Sequence, residues 1–221
     1  MVIFDDYEFV KLLIKGDIPK NCEYRNNVLR SCAKLIDRGD YKFSELLNVI
    51  NEHTKFDIDD DLLAEYVTAQ KDYPPIKPHI MVFTEGEVKA IHSLRKKSDQ
   101  KLYLAMIFAF KYFGTHRLRL AMREFKRMAG LSLSHYSIHD MQLGNGIVIR
   151  REKKFTKSLI TDYSTNKPYT YYYPRFASGK DMFTFIYEGD CYMLPSAPWE
   201  SNLSELWSKY KEAADKIYGK R

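Results

Sequence analysis

The segment from Thr84 to Lys157 constrains this chain most, because charge is sorted into it. From Lys89 to Lys157 there are sixteen Lys and Arg against four acids, Asp99, Glu124, Asp140 and Glu152, a local net of +12 in a protein whose formal net charge is +6. The first seventy-three residues run the other way, with ten bases against fifteen acids, and the last sixty-four balance at eight against eight. A local cationic field attracts polyanions while dictating no fold. The middle of the chain is therefore where contact with nucleic acid is expected.

Apolar spacing shows what would carry that charge. Thr84 with Glu87 three residues on is a capping box, and it opens a helical run through Val88, Ile91, Leu94, Leu102, Met106, Phe110 and Phe113. Arg95, Lys96 and Lys97 interrupt the run as a solvated bend between two helices, and Gly114 stops it. Leu118, Ala121, Met122, Phe125 and Met128 predict another amphipathic helix, with Arg119, Arg123, Lys126 and Arg127 on its polar side and Gly130 at the C′ position. The piece from Leu131 to Gly144 predicts a short second helix after a tight turn, the helix-turn-helix arrangement. Ile147 to Lys157 then predicts a basic strand and Ser158 to Tyr163 its return, which together would form a wing.

Upstream, the apolar sets Phe4 to Ile14, Val28 to Ile36 and Leu46 to Ile50 predict three helices, the third capped by Ser44, and the aspartates at 57 and 59 to 61 lead into a fourth, Leu62 to Gln70. Pro74, Pro75 and Pro78 favour an extended spacer. Downstream, Tyr169 to Tyr173, Met182 to Tyr187 and Cys191 to Leu194 predict strands, and Asn202 with Glu205 would cap a final helix. The expected organisation is α+β: an acidic helical unit over 1–73, a Pro-containing linker over 74–83, and over 84–221 a winged-helix-like basic domain with a Tyr-rich β region and a C-terminal helix. The chain has no run of eighteen apolar residues and no basic-then-apolar leader, so neither a membrane span nor export is expected. Cys22, Cys32 and Cys191 lack CxxC spacing, so reduced thiols in a cytoplasmic setting are expected.

Candidate nucleic-acid contacts follow from these elements. Ser134, His135, Ser137, His139 and Gln142 of the second helix would face the groove, Arg117, Arg119, Arg123, Lys126 and Arg127 would hold the backbone, and Arg150, Arg151, Lys153, Lys154 and Lys157 would form the wing. Other chemistries are less well supported. His135 and His139 are four apart with Asp140 beside them, but two ring nitrogens without an HExxH glutamate are a weak metal signal, and no metal is expected. Asp140 with Glu152-Lys-Lys154 loosely matches the acid and E-x-K pattern of metal-dependent nucleases. The tyrosines at 169, 171, 172 and 173 read as alternating core and surface before they read as a base-stacking platform. With neither GxxxxGK[ST] nor GxGxxG present, no nucleotide cofactor is expected.

Thr84-Glu-Gly-Glu-Val-Lys-Ala-Ile-His-Ser-Leu-Arg95 followed by Gln100-Lys-Leu-Tyr-Leu-Ala-Met-Ile-Phe-Ala-Phe-Lys-Tyr-Phe113, after an acidic helical unit and a Pro-containing linker, resembles a group of phage and prophage proteins of Gram-positive bacteria in which such a helix precedes a helix-turn-helix. The likeness covers roughly the first 145 residues. It implies a phage-borne DNA-binding protein of regulation or replication and carries over no catalytic residue. Three readings stand at this point. The first is a non-enzymatic nucleic-acid-binding protein, with DNA favoured over RNA and the oligomeric state left open. The second is an interaction protein that engages or inhibits a host protein through its acidic unit, and the third is a metal-dependent nuclease.

Overall fold

The computed structural model describes residues 1–18, 24–114, 120, 122–132, 152–154, 169–171, 177–194 and 203–219, with backbone alone at 122, 152–154 and 169–171. The protein is α+β. Its strands, among the described residues, form three separate two-stranded antiparallel ribbons, and its chain divides into two compact units, 1–78 with 190–196 and 79–189 with 197–221.

In the first unit, β1 (Val2–Ile3) pairs with β6 (Tyr192–Met193), and four helices follow β1: α1 (Asp6–Ile14), α2 (Arg25–Asp37), α3 (Phe43–His53) and α4 (Asp60–Gln70). Val10 and Leu13, Val28, Leu29, Cys32 and Leu35, and Leu46 and Ile50 are buried as the spacing predicts, while α1 also buries Phe9 and leaves Tyr7 and Ile14 half-buried, and α4 buries Leu63 and Tyr66. Asp5 caps α1 by accepting from the Tyr7 and Glu8 amides, and Asp59 caps α4 by accepting from Leu62 N. Ser44 does not cap α3. The N-cap is Lys42, and Ser44 lies within the helix. Asn51 pins the connection into α4, donating from Nδ2 to the Ile58 carbonyl (2.8 Å) and accepting from Ile58 N (2.9 Å).

The Pro-containing segment is tied down at Ile76. Asp6 N donates to the Ile76 carbonyl at 2.8 Å, and Ile76 N donates to Asp6 Oδ2 at 2.7 Å. Proline gives the segment its extended form, and Asp6 holds that form against the first unit. The expected linker over 74–83 is also too long, since Ile80–Thr84 is a strand (β2).

In the second unit, β2 pairs with β5 (Asp181–Ile186) in the register Met81↔Phe185 and Phe83↔Phe183, with Phe83 stacked on Phe183 at 4.8 Å. The Thr84 capping box then starts α5 (Glu85–His92): Thr84 Oγ1 accepts from Glu87 N (3.4 Å), and Glu87 Oε2 accepts from Thr84 N (2.9 Å). Thr84 Oγ1 also donates to the Ala177 carbonyl at 2.6 Å, and Glu85 N donates to that of Lys180 at 2.9 Å. That loop lies so close that a Cβ at Gly86 would stand 2.1 Å from the Ser178 carbonyl oxygen, so only glycine fits there.

A turn at the predicted bend leads into α6 (Lys97–Phe113), in which every residue from Leu102 to Phe110 is buried, and Gly114 ends it in the left-handed conformation (φ 58°). This is the central helix of the unit. α7 (Met122–Met128) ends in a Schellman motif at Gly130 (φ 63°): Leu131 N donates to the Lys126 carbonyl at 2.8 Å and Gly130 N to that of Arg127 at 2.9 Å. Beyond it, β3 (Glu152–Lys154) pairs with β4 (Tyr169–Tyr171) in the register Glu152↔Tyr171 and Lys154↔Tyr169. The basic strand thus takes its partner from the tyrosine-rich run; the Ser158 to Tyr163 return lies outside the described residues. α8 (Ser204–Tyr218) packs on α5 and β5. Its N-cap is Leu203; the expected Asn202 cap lies outside the described residues, and Glu205 instead pairs with Lys209 at 3.2 Å.

Candidate nucleic-acid interface

A cation can meet a phosphate only if it is exposed and not already neutralised, and on that test the basic residues of the second unit divide sharply. Glu124 is buried at 4% exposure and draws two cations to itself, Arg123 Nε at 3.0 Å from Oε1 and Arg127 Nη1 at 3.5 Å from Oε2. Lys126 is buried at 5%. These three were expected to present a phosphate-holding face on α7. Instead Lys126 lies inside, Arg127 is largely covered, and Arg123 stays exposed but shares its charge with Glu124. Charge on a helix surface says where cations sit in sequence; a buried acid among them decides which way they turn.

Lys111 lies 2.9 Å from Glu87 Oε1, close enough for a charge pair though not aligned as a hydrogen bond, and its ammonium sits over the Phe83 ring at 5.4 Å. Lys89 is held 2.7 Å from Glu85, one helical turn away. Lys101 sits over the Trp207 ring at 5.6 Å. Arg95, Lys96 and Lys97 are all exposed and in no ion pair among the described residues, as are Lys180, Lys211 and Lys216 elsewhere in the unit, but only the first three are consecutive.

The corner that carries them is firmly built. Leu94 is buried at its base, and Gln100 Nε2, reaching back from the first turn of α6, donates to the Leu94 carbonyl at 2.8 Å and to that of His92 at 3.4 Å. Lys96, the N-cap of α6, offers no side-chain acceptor, so the positive end of a seventeen-residue helix adds to the cations beside it. Asp99, in that first turn, is half-buried and is the acid nearest in sequence. Three adjacent exposed cations on a braced turn form a compact cationic surface.

Of the remaining expected contacts, Lys153 and Lys154 lie in β3, and Arg117, Arg119, Ser134, His135, Ser137, His139, Gln142, Arg150, Arg151 and Lys157 lie outside the described residues. So does Asp140 of the nuclease pattern, along with the His135 and His139 pair. Among the described residues, no group of three His, Cys, Asp or Glu is placed to hold a metal ion, and no helix is long and apolar enough to cross a membrane. Burial pushes the Cys32 thiol far above its ordinary range, and burial followed by Asp5 pushes Cys191 up to about 11, so neither supplies a thiolate near neutral pH. A cavity of about 230 Å³ in the second unit is walled, among the described residues, by Leu104, Ala105, Ala129, Leu203 and Trp207 with Lys101, Ser204 and Ser208.

No family model, curated protein or solved structure matches this chain.

Proposed function

We propose that this is a nucleic-acid-binding protein of phage or mobile-element origin, acting in the cytoplasm of a bacterial host in transcriptional regulation or replication initiation. The observation that carries the reading is the Arg95, Lys96 and Lys97 corner, three exposed cations outside every ion pair among the described residues, in a segment with a net charge of +12. Supporting it are the glycine turn after α7, which suits a helix-turn-helix, and the antiparallel β3 and β4 ribbon with its Lys153 and Lys154, which suits a wing. DNA is favoured over RNA through the resemblance described above.

If the three corner cations meet phosphates of duplex DNA, raising salt from about 50 to about 200 mM should weaken binding roughly forty-fold, from a slope of about 0.9 per contact in log affinity against log salt. Gel-shift titration at the two salt concentrations measures this. No binding to duplex or single-stranded DNA or RNA at the lower salt would end the proposal.

A further inference from the structure

An exposed aromatic stack stands beside the cationic corner. His92, the last residue of α5, and Tyr218, the last of α8, stack at 4.1 Å between ring centroids with 13° between their planes. His92 braces the tyrosine ring from one side, yet Tyr218 keeps 48% of its surface exposed. A single exposed aromatic is ordinary on a protein surface. The neighbourhood of this one is not.

His92 belongs to the corner itself, because Gln100 Nε2 donates to its carbonyl and Arg95 follows three residues later. Lys89 lies one turn earlier on the same helix, paired with Glu85. The Glu85 carboxylate, hydrogen-bonded to its ammonium, raises the Lys89 pKa. A π-face backed by a stacked imidazole, with three exposed cations starting three residues after that histidine, offers the elements with which proteins hold unpaired bases: the ring takes the base and the cations take the phosphates. A duplex keeps its base faces stacked inside, so only an unpaired nucleotide can use the ring.

We infer that His92 and Tyr218 form a stacking platform for one unpaired base of a single-stranded nucleic acid whose backbone runs over Arg95, Lys96 and Lys97. This rests on the nucleic-acid reading and specifies its substrate as a single strand or a strand-separated junction. It is separate from the tyrosine-rich run near 170, which reads as strand core and surface before it reads as a stacking platform.

Fluorescence anisotropy of the whole chain with a labelled oligothymidylate and with a blunt-ended two-strand duplex of equal length tests it. Tyr218→Ala should bind the single strand roughly ten-fold more weakly and the duplex unchanged. Tyr218→Phe, which keeps the ring, should bind both like the wild type. Equal single-strand affinity in Tyr218→Ala and wild type, or an equal loss on both oligonucleotides, would overturn the platform and leave the nucleic-acid reading standing. Failure of the wild type to bind either oligonucleotide would overturn both.

Discussion

Glu87→Ala should destabilise the second unit by about 3–5 kcal/mol, the range for removing one partner of a buried ion pair. Glu87 is 1% exposed, and its two oxygens serve different partners: Oε2 closes the capping box on Thr84 N, while Oε1 faces the Lys111 ammonium, itself only 18% exposed. Removing the carboxylate would leave a mostly covered cation over the Phe83 ring without its counter-charge and an N-terminal amide of α5 without its acceptor. The Tyr103 phenol, whose pKa is raised first by burial and then by Glu87, marks the same buried spot. Glu87→Gln should fall between, since an amide oxygen can still close the box but cannot balance Lys111. Urea unfolding followed by tryptophan fluorescence would measure the effect; a loss under about 1 kcal/mol would place the pair with ordinary surface ion pairs and contradict this account.

In the first unit the corresponding residue is Asp6. It is 1% exposed and takes a hydrogen bond from Ser31 Oγ at 2.5 Å, an ion pair with Lys34 at 3.0 Å and the Ile76 amide at 2.7 Å, so its charge is met on every side. Asp6→Ala should also cost about 3–5 kcal/mol, because Lys34, at 11% exposure, would be left mostly covered and unbalanced. The substitution has a local signature as well. The Ile76 amide loses its acceptor, so its hydrogen exchange should accelerate beyond that of the α2 amides; unchanged protection at Ile76 would show that the Pro-containing segment is held by something other than Asp6.

What the sequence disclosed about this fold follows the range of the interactions involved. The Thr84 capping box, the glycine at the end of α7, the break at Arg95 to Lys97 and the buried centre of α6 are all settled within a few residues, and each is visible in the spacing. β2 was not, because the prolines before it suggest a spacer and its partner β5 lies about a hundred residues further on. The same distance problem hid the pairing of β1 with β6. At the site, a helical wheel puts Arg123, Lys126 and Arg127 on one polar face; only coordinates reveal that Glu124 is buried among them. The Arg95 to Lys97 bend was legible as structure but not as a site, since a run of cations at a turn is most often plain solvated surface.

The most direct test of the nucleic-acid account is therefore the salt dependence of binding for Arg95→Glu, Lys96→Glu and Lys97→Glu combined. All three side chains are exposed, so the fold should be unaffected. On duplex DNA the slope of log affinity against log salt should become shallower by about 2.7, with affinity at low salt down roughly 100-fold. A variant that kept both the wild-type affinity and the wild-type slope would contradict the account, because the phosphates would then be held by some other surface.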